Sequence, residues 1–224
     1  NLILNQRVER FSPFVGRTAW KACDGPVADL EGKEVYAGLD LSSVADLTAL
    51  VLTWNEGDEV HVRPYFWTPK GGLLDRAHRD RKPYGTWVDQ GHLMTTPGDT
   101  IDYEFVAKFV AGLPVKWLGI GFDRWRIDQF KAALDRVEAP PEIKEAMKPV
   151  GQGTASMAPA LDALERDIVQ KRLRHASHPV LTMCAANAVV EMDSAGNRKL
   201  AKNKSNGRID GMVALAMAIG QASR

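Results

Sequence analysis

Three aspartates stand where an apolar run begins or ends. Asp40 lies late in Val35-Tyr-Ala-Gly-Leu-Asp-Leu41, Asp123 closes Val115-Lys-Trp-Leu-Gly-Ile-Gly-Phe-Asp123, and Asp210 opens the final apolar run in Arg208-Ile-Asp-Gly-Met212. Each has an ordinary structural account. Asp40 could bond a turn, Asp123 could cap a helix, and Asp210 could offset a helix dipole. Gathered together, three carboxylates repel one another unless a cation sits between them, and an all-oxygen ligand set suits Mg²⁺ or Mn²⁺. Two such ions, roughly 3.5–4 Å apart, are the arrangement for hydrolysing a phosphodiester.

The surrounding elements decide whether the three can meet. Alternation predicts a strand over 35–41, with Val35, Ala37, Leu39 and Leu41 on one face and Tyr36, Gly38 and Asp40 on the other. Strands over 47–54 and 60–67 follow across an Asn55-Glu-Gly-Asp-Glu59 turn, and Pro64 marks an edge or bulge. These three form an antiparallel meander. A helix over 102–113, a strand over 115–123 and a helix over 125–137 come next, the last stopped by Glu138-Ala-Pro-Pro141. A short strand over 147–150, a helix over 159–172, a further short helix after Pro179, a hairpin about Ser194-Ala-Gly-Asn197 and a helix over 209–218 complete the order. Crossovers of this kind make neighbouring strands parallel, so the sheet is mixed and the class is α/β. The strands ending at Asp40 and Asp123 become parallel neighbours, with both carboxylates on the carboxyl edge where open sheets bind ligands. Gly38 would leave room for a ligand there, and Gly211 would let the last helix approach. Residues 1–34 read as an irregular lead-in anchored by Trp20, and 35–224 as one domain.

The formal net charge of +1 hides a strong asymmetry. Between Asp24 and Glu59 nine acids face one base, a balance of −8 that leaves +9 elsewhere. Arg198, Lys199, Lys202, Lys204 and Arg208 form an acid-free stretch running into Asp210, as a polyanionic substrate requires. Lys171, Arg172, Arg174 and His175 form a second cluster. Arg76, Arg79, Arg81 and Lys82 form a third, which Asp75 and Asp80 dilute into an exposed helix. His175 and His178 are read as a solvated turn. Cys23 and Cys184 lack the partners for a disulfide framework or zinc site. No segment is apolar for long enough to span a bilayer and no leader opens the chain, which fits a reducing cytoplasm.

Taken as an ordered set, the motifs resemble the C-terminal nuclease domain of tailed-phage large terminase subunits, within the RNase H-like nuclease and integrase superfamily. The matching stretches are Gly38-Leu-Asp-Leu-Ser-Ser43 with Asp46-Leu-Thr-Ala49, Gly121-Phe-Asp-Arg-Trp125, and Gly151-Gln-Gly153 with Met157-Ala-Pro159. Asn187, Asp193, Lys202-Asn-Lys204 and Arg208-Ile-Asp-Gly211 continue the series. The resemblance implies an RNase H-like mixed sheet flanked by helices, with a C-terminal β-hairpin insertion. It implies an endodeoxyribonuclease that cuts concatemeric double-stranded DNA, with Asp40, Asp123 and Asp210 holding two Mg²⁺ or Mn²⁺ ions. Asp46 would support those ligands from behind or cap the next strand, and Lys199, Lys202, Lys204 and Arg208 would contact the DNA backbone. The implied partners are the terminase ATPase domain, the small terminase subunit and the capsid portal, in the cytoplasm of an infected bacterial host. No G-x-x-x-x-G-K-[ST] occurs in the 224 residues, so no ATP hydrolysis is expected from this chain. Two other readings share parts of the pattern. A transposase or integrase uses the same fold but usually a Glu as third carboxylate, and an actin-like nucleotide-binding domain has a similar first phosphate loop.

Overall fold

Apolar alternation and short turns build a seven-stranded mixed sheet with helices on both faces. The computed structural model describes residues 12–42, 47–124, 126–205 and 207–223. In chain order the elements are β1 (Ser12–Pro13), α1 (Arg17–Lys21), β2 (Glu34–Asp40), β3 (Thr48–Glu56), β4 (Glu59–Pro69), α2 (Leu73–Asp80), α3 (Tyr84–Asp89) and β5 (Met94–Thr96). They continue with α4 (Tyr103–Ala111), β6 (Lys116–Phe122), α5 (Ile127–Arg136), α6 (Pro141–Ala146), β7 (Met147–Pro149) and α7 (Thr154–Val169). The last are β8 (Leu173–Arg174), α8 (Pro179–Asn187), β9 (Val189–Met192), β10 (Arg198–Leu200) and α9 (Asp210–Ala222).

The main sheet runs β5-β4-β3-β2-β6-β7, with β8 also on β4. The expected meander is β2-β3-β4, antiparallel throughout, and β2 pairs with β6 in parallel. Pro64 sits opposite Val51 on β3, between the stretches of β4 that bond β8 and β5 on its outer side. Its missing N–H therefore falls where the outer edge of β4 makes no ladder. The β9–β10 hairpin forms as expected, and β1 extends it into a three-stranded sheet. The described part of the lead-in packs on the body: Phe14 and Trp20 are buried in the core, and the Trp20 indole N–H donates to Thr182 Oγ1 at 3.1 Å.

One core lies between the sheet and α7, α8 and α9, and the other between the sheet and α4, α5 and α6. Val35, Ala37, Leu39 and Leu41 all face the second, as alternation requires. Gly38 and Asp40 therefore face α9. That helix is buried on all sides, and it crosses β2, β3 and β6. A Cβ on Gly38 would lie 1.8 Å from the Ala214 carbonyl oxygen. The space expected for a ligand at Gly38 is filled by α9 itself. Gly211 meets its expectation, for a Cβ there would strike the Phe66 ring at 2.7 Å.

Three further local readings change. The seventh helix begins at Thr154 and carries Pro159 inside it, in the second turn, where few helical bonds precede it. Arg76 does not lie on an exposed face: it is buried, and its guanidinium donates to Thr68 Oγ1 at 3.1 Å and to the Gly71 and Pro69 carbonyls. His175 and His178 do not form a solvated turn either. His175 is buried and stacks on Trp20 at 4.2 Å between ring centroids, while His178 Nδ1 accepts from Leu181 N at the start of α8.

Candidate metal centre

Asp40 is the last residue of β2, and Asp210 is the first of α9. Both carboxylates are buried, at 4% and 3% exposure. Parallel register sets Leu39 beside Phe122, so Asp123 follows directly at the neighbouring strand end. Sheet pairing thus brings Asp40 and Asp123 to one edge, and helix packing lowers Asp210 onto it.

The group between the first and third aspartates is an ammonium. Lys202 Nζ donates to Asp40 Oδ2 at 2.6 Å and to Asp210 Oδ1 at 3.2 Å. The other Asp210 oxygen, Oδ2, is buried with no hydrogen-bond partner among the described residues. Burial pushes the Asp40 carboxyl up to about 7; Lys202 opposes that rise, and the charges of Asp210 and Asp123 add to it. Burial works against the Lys202 charge, but attraction to Asp40 and Asp210 outweighs it and raises this lysine above its usual range. Cys184, also buried, is held as a neutral thiol by desolvation and by the Asp210 charge.

The supporting contacts come from distant parts of the chain. Beyond Asp40, Ser42 N donates to Thr48 Oγ1 at 3.1 Å, and the Tyr103 hydroxyl donates to the Ser42 carbonyl at 2.6 Å. Before Asp210, Arg208 Nε donates to Asp80 Oδ2 at 3.0 Å, and the Tyr84 hydroxyl donates to the same oxygen at 2.8 Å. Asn187 Nδ2 reaches the Arg208 carbonyl at 3.0 Å. Asp193 accepts from Thr154 Oγ1 at 2.7 Å and from the turn amides of Ala195 and Asn197, tying the hairpin to α7. Thr48 lies in the Asp46-Leu-Thr-Ala49 run, whereas Asp80, Tyr84 and Tyr103 carry no motif of their own. Of these three only Asp80, as an acid in a basic stretch, offered a signal in the sequence.

Not every predicted residue gathers at one point. Asp46 lies outside the described residues. Asp123 is half-buried at the rim, and among the described residues no three Asp, Glu, His or Cys side chains converge on a common ion position. The basic stretch is folded onto this chain's own acids: Arg198 pairs with Asp162 and Glu165, Lys199 with Glu191 at 2.8 Å, and Arg208 with Asp80. Lys204 is exposed.

A divalent cation fits this donor set on three grounds. Two buried carboxylates already share one cationic partner, one of their oxygens is unsatisfied, and a third carboxylate stands at the adjoining strand end.

A mixed sheet with aspartates on the carboxyl edge and a buried final helix laid over them is the RNase H-like nuclease architecture. Comparison with known proteins narrows this. The family model for the terminase large subunit, endonuclease domain, matches residues 3–224, and the chain belongs to that family. It is 48% identical over 226 residues to the large terminase subunit of Enterobacteria phage HK97, across 100% of this chain and 44% of that protein. It is 26% identical over 231 residues to protein YmfN of Escherichia coli (strain K12), across 94% of this chain and 49% of that protein. The chain therefore spans about half the length of these relatives. The crystal structure of the HK97 large terminase superposes with a TM-score of 0.87 at 47% identity, covering 98% of this chain and 46% of that one. The large terminase nuclease from thermophilic phage G20c with bound cobalt superposes at 0.55 over 94% of this chain and 97% of that one. At 10% identity, that likeness is one of fold. Among the described residues no helix is long and apolar enough to cross a membrane.

Proposed function

We propose that this chain is a metal-dependent endodeoxyribonuclease that cuts concatemeric double-stranded DNA during phage genome packaging. The observation that carries this reading is the pair of buried carboxylates, Asp40 and Asp210, held by one ammonium with Asp210 Oδ2 left unsatisfied. Asp40, Asp123 and Asp210 would hold two Mg²⁺ or Mn²⁺ ions; bound there, such ions supply a nucleophilic water and stabilise the leaving oxygen of an in-line displacement. Asp40 and Asp210 arrive from a strand end and a helix start, so their separation is set by rigid elements. Asp123 completes the set by turning inward from the rim. No side chain need become covalently attached to DNA.

Lys199, Lys202, Lys204 and Arg208 would meet the phosphates. Lys199, Lys202 and Arg208 now face carboxylates, so each would exchange a carboxylate for a phosphate as DNA arrives. These are backbone contacts, which position DNA without reading its sequence. By family, the chain would act beside the terminase ATPase domain, the small subunit and the capsid portal in the cytoplasm of the infected host.

Supercoiled plasmid tests the proposal. Nicking or linearisation is expected with Mg²⁺ or Mn²⁺, loss with EDTA, and loss in Asp40→Asn, Asp123→Asn and Asp210→Asn. Undiminished cutting by all three variants would remove the assignment.

A further inference from the structure

The carboxylates of Asp40 and Asp210 are almost sealed from solvent, whereas the side chain of Lys202 is 48% exposed. Its ammonium occupies the gap between them, at 2.6 and 3.2 Å. A cation approaching both carboxylates must therefore take the place of this ammonium. Lys202 begins the 202–204 turn after β10, so its side chain can swing without breaking a helix or strand. A cavity of about 420 Å³ opens beside it, bordered by Asp80, Arg208 and Asp210.

We propose that Lys202 is an exchangeable counter-ion of this centre: it bridges Asp40 and Asp210 in the metal-free chain, is displaced by the first divalent cation, and then turns to a phosphate of the DNA. The inference rests on the proposed nuclease function and deepens it. The physical case is one of charge and geometry. One ammonium facing two formal carboxylates leaves the pair at −1. A single N–H donor to Asp210 also leaves its Oδ2 bare, whereas a divalent ion with its waters can satisfy several oxygens at shorter range. No bond to Lys202 forms or breaks in the exchange, and it stays protonated throughout. A long flexible lysine suits this role better than the planar, forked arginine, which would hold both carboxylates more firmly.

Two measurements test the exchange, neither of which needs cleavage. First, Mn²⁺ is titrated calorimetrically into the wild-type chain, Lys202→Met and Lys202→Arg without DNA. Because a competing charge has gone, Lys202→Met should bind Mn²⁺ roughly tenfold or more tightly, and Lys202→Arg no more tightly than wild type. A purely structural lysine gives the opposite sign, with Lys202→Met binding more weakly. Second, the ¹⁵Nζ resonance of Lys202 is followed in the wild-type chain, which guards against a variant that does not fold. A hydrogen-bonded, slowly exchanging ammonium should be visible without metal and lost at saturating Mg²⁺; its persistence overturns the exchange. With Ca²⁺ as a non-cleaving ion, Lys202→Met should also lower the salt slope of DNA binding by about one. Failure of the wild-type chain to bind Mn²⁺ or cut DNA overturns both readings. Binding and cutting without tighter Mn²⁺ binding by Lys202→Met overturns the exchange alone.

Discussion

At the carboxyl end of β2 and β6, two buried aspartates, Asp40 and Asp210, share one ammonium, and Asp123 stands at the adjoining rim. At the amino end of the same strands, Lys33 pairs with Glu56 at 2.6 Å and Lys116 with Glu34 at 3.9 Å, all with side chains at least 36% exposed. The amino end also borders a cavity of about 590 Å³, larger than the one beside Lys202. Volume therefore does not mark the centre. One-to-one pairs in water cost little and hold little, whereas buried carboxylates outnumbering their cation represent desolvation that packing alone would not retain. Buried charge imbalance, not volume, is what sets the proposed metal end apart.

The greatest contrast should appear in cleavage. Asp40→Asn and Asp210→Asn should each lower plasmid cutting by at least about 100-fold, beyond the usual cost of removing an outer-shell partner. Lys116→Ala, at the amino end, should stay within about twofold, as exposed pairs do. Equal losses at both ends would erase the distinction.

Stability should divide in the same way. Arg208→Ala removes one of the two guanidinium partners of the Asp80 carboxylate, itself 15% exposed, with Arg79 remaining at 3.0 Å, and should cost about 2 kcal/mol in urea unfolding. Gly38→Ala forces a methyl into the α9 backbone and should cost about 1–3 kcal/mol or more, seen as a lower Tm. A neutral outcome for Gly38→Ala would show that α9 can shift without disturbing Asp210.

A further effect concerns acid, and between pH 7 and 5 it amounts to about 2 kcal/mol. His178 packs near Phe66, and burial, reinforced by the positive charges of His92 and Arg63, lowers its pKa to about 3. A histidine depressed below its unfolded value near 6.5 contributes stability above that pH and loses it as the pH falls. The loss should be roughly 1.4 kcal/mol per pH unit between about 6.5 and 3. Urea midpoints at pH 7 and 5 would measure it, and His178→Gln should flatten the difference. His61, toward the amino end, is lowered by burial but raised by Glu59 and Glu56, so its replacement should flatten that slope less.

Much of the centre was legible in residue order. Alternation from Val35 to Leu41 put Asp40 on the face opposite the apolar one, and that is the α9 face. The meander, the parallel β2–β6 pair and the β9–β10 hairpin follow from strand patterns and turn residues. The stretch from Arg198 to Arg208 was legible as basic but not as self-paired, because apart from Glu191 and Asp210 the acids that pair with it lie at least 33 positions away in sequence. The two histidines escaped for the same reason, because the Trp20 and Phe66 rings beside them come from other segments; Arg76 escaped although its acceptors lie only 5–8 positions upstream, because the chain folds back onto it in a turn that leaves no periodic signal.

Sequence by itself therefore determined where each aspartate falls on its element, which strands are neighbours, and which stretch is basic. Those properties depend on local periodicity and on turn chemistry within a few residues. Tertiary structure alone decided that Lys202 stands between Asp40 and Asp210, that Arg208 is bound to Asp80, and that Gly38 admits a helix. The Lys202–Asp40 and Arg208–Asp80 contacts join residues 162 and 128 positions apart. Only the packing of α9 across the sheet brings such distant groups within hydrogen-bonding range.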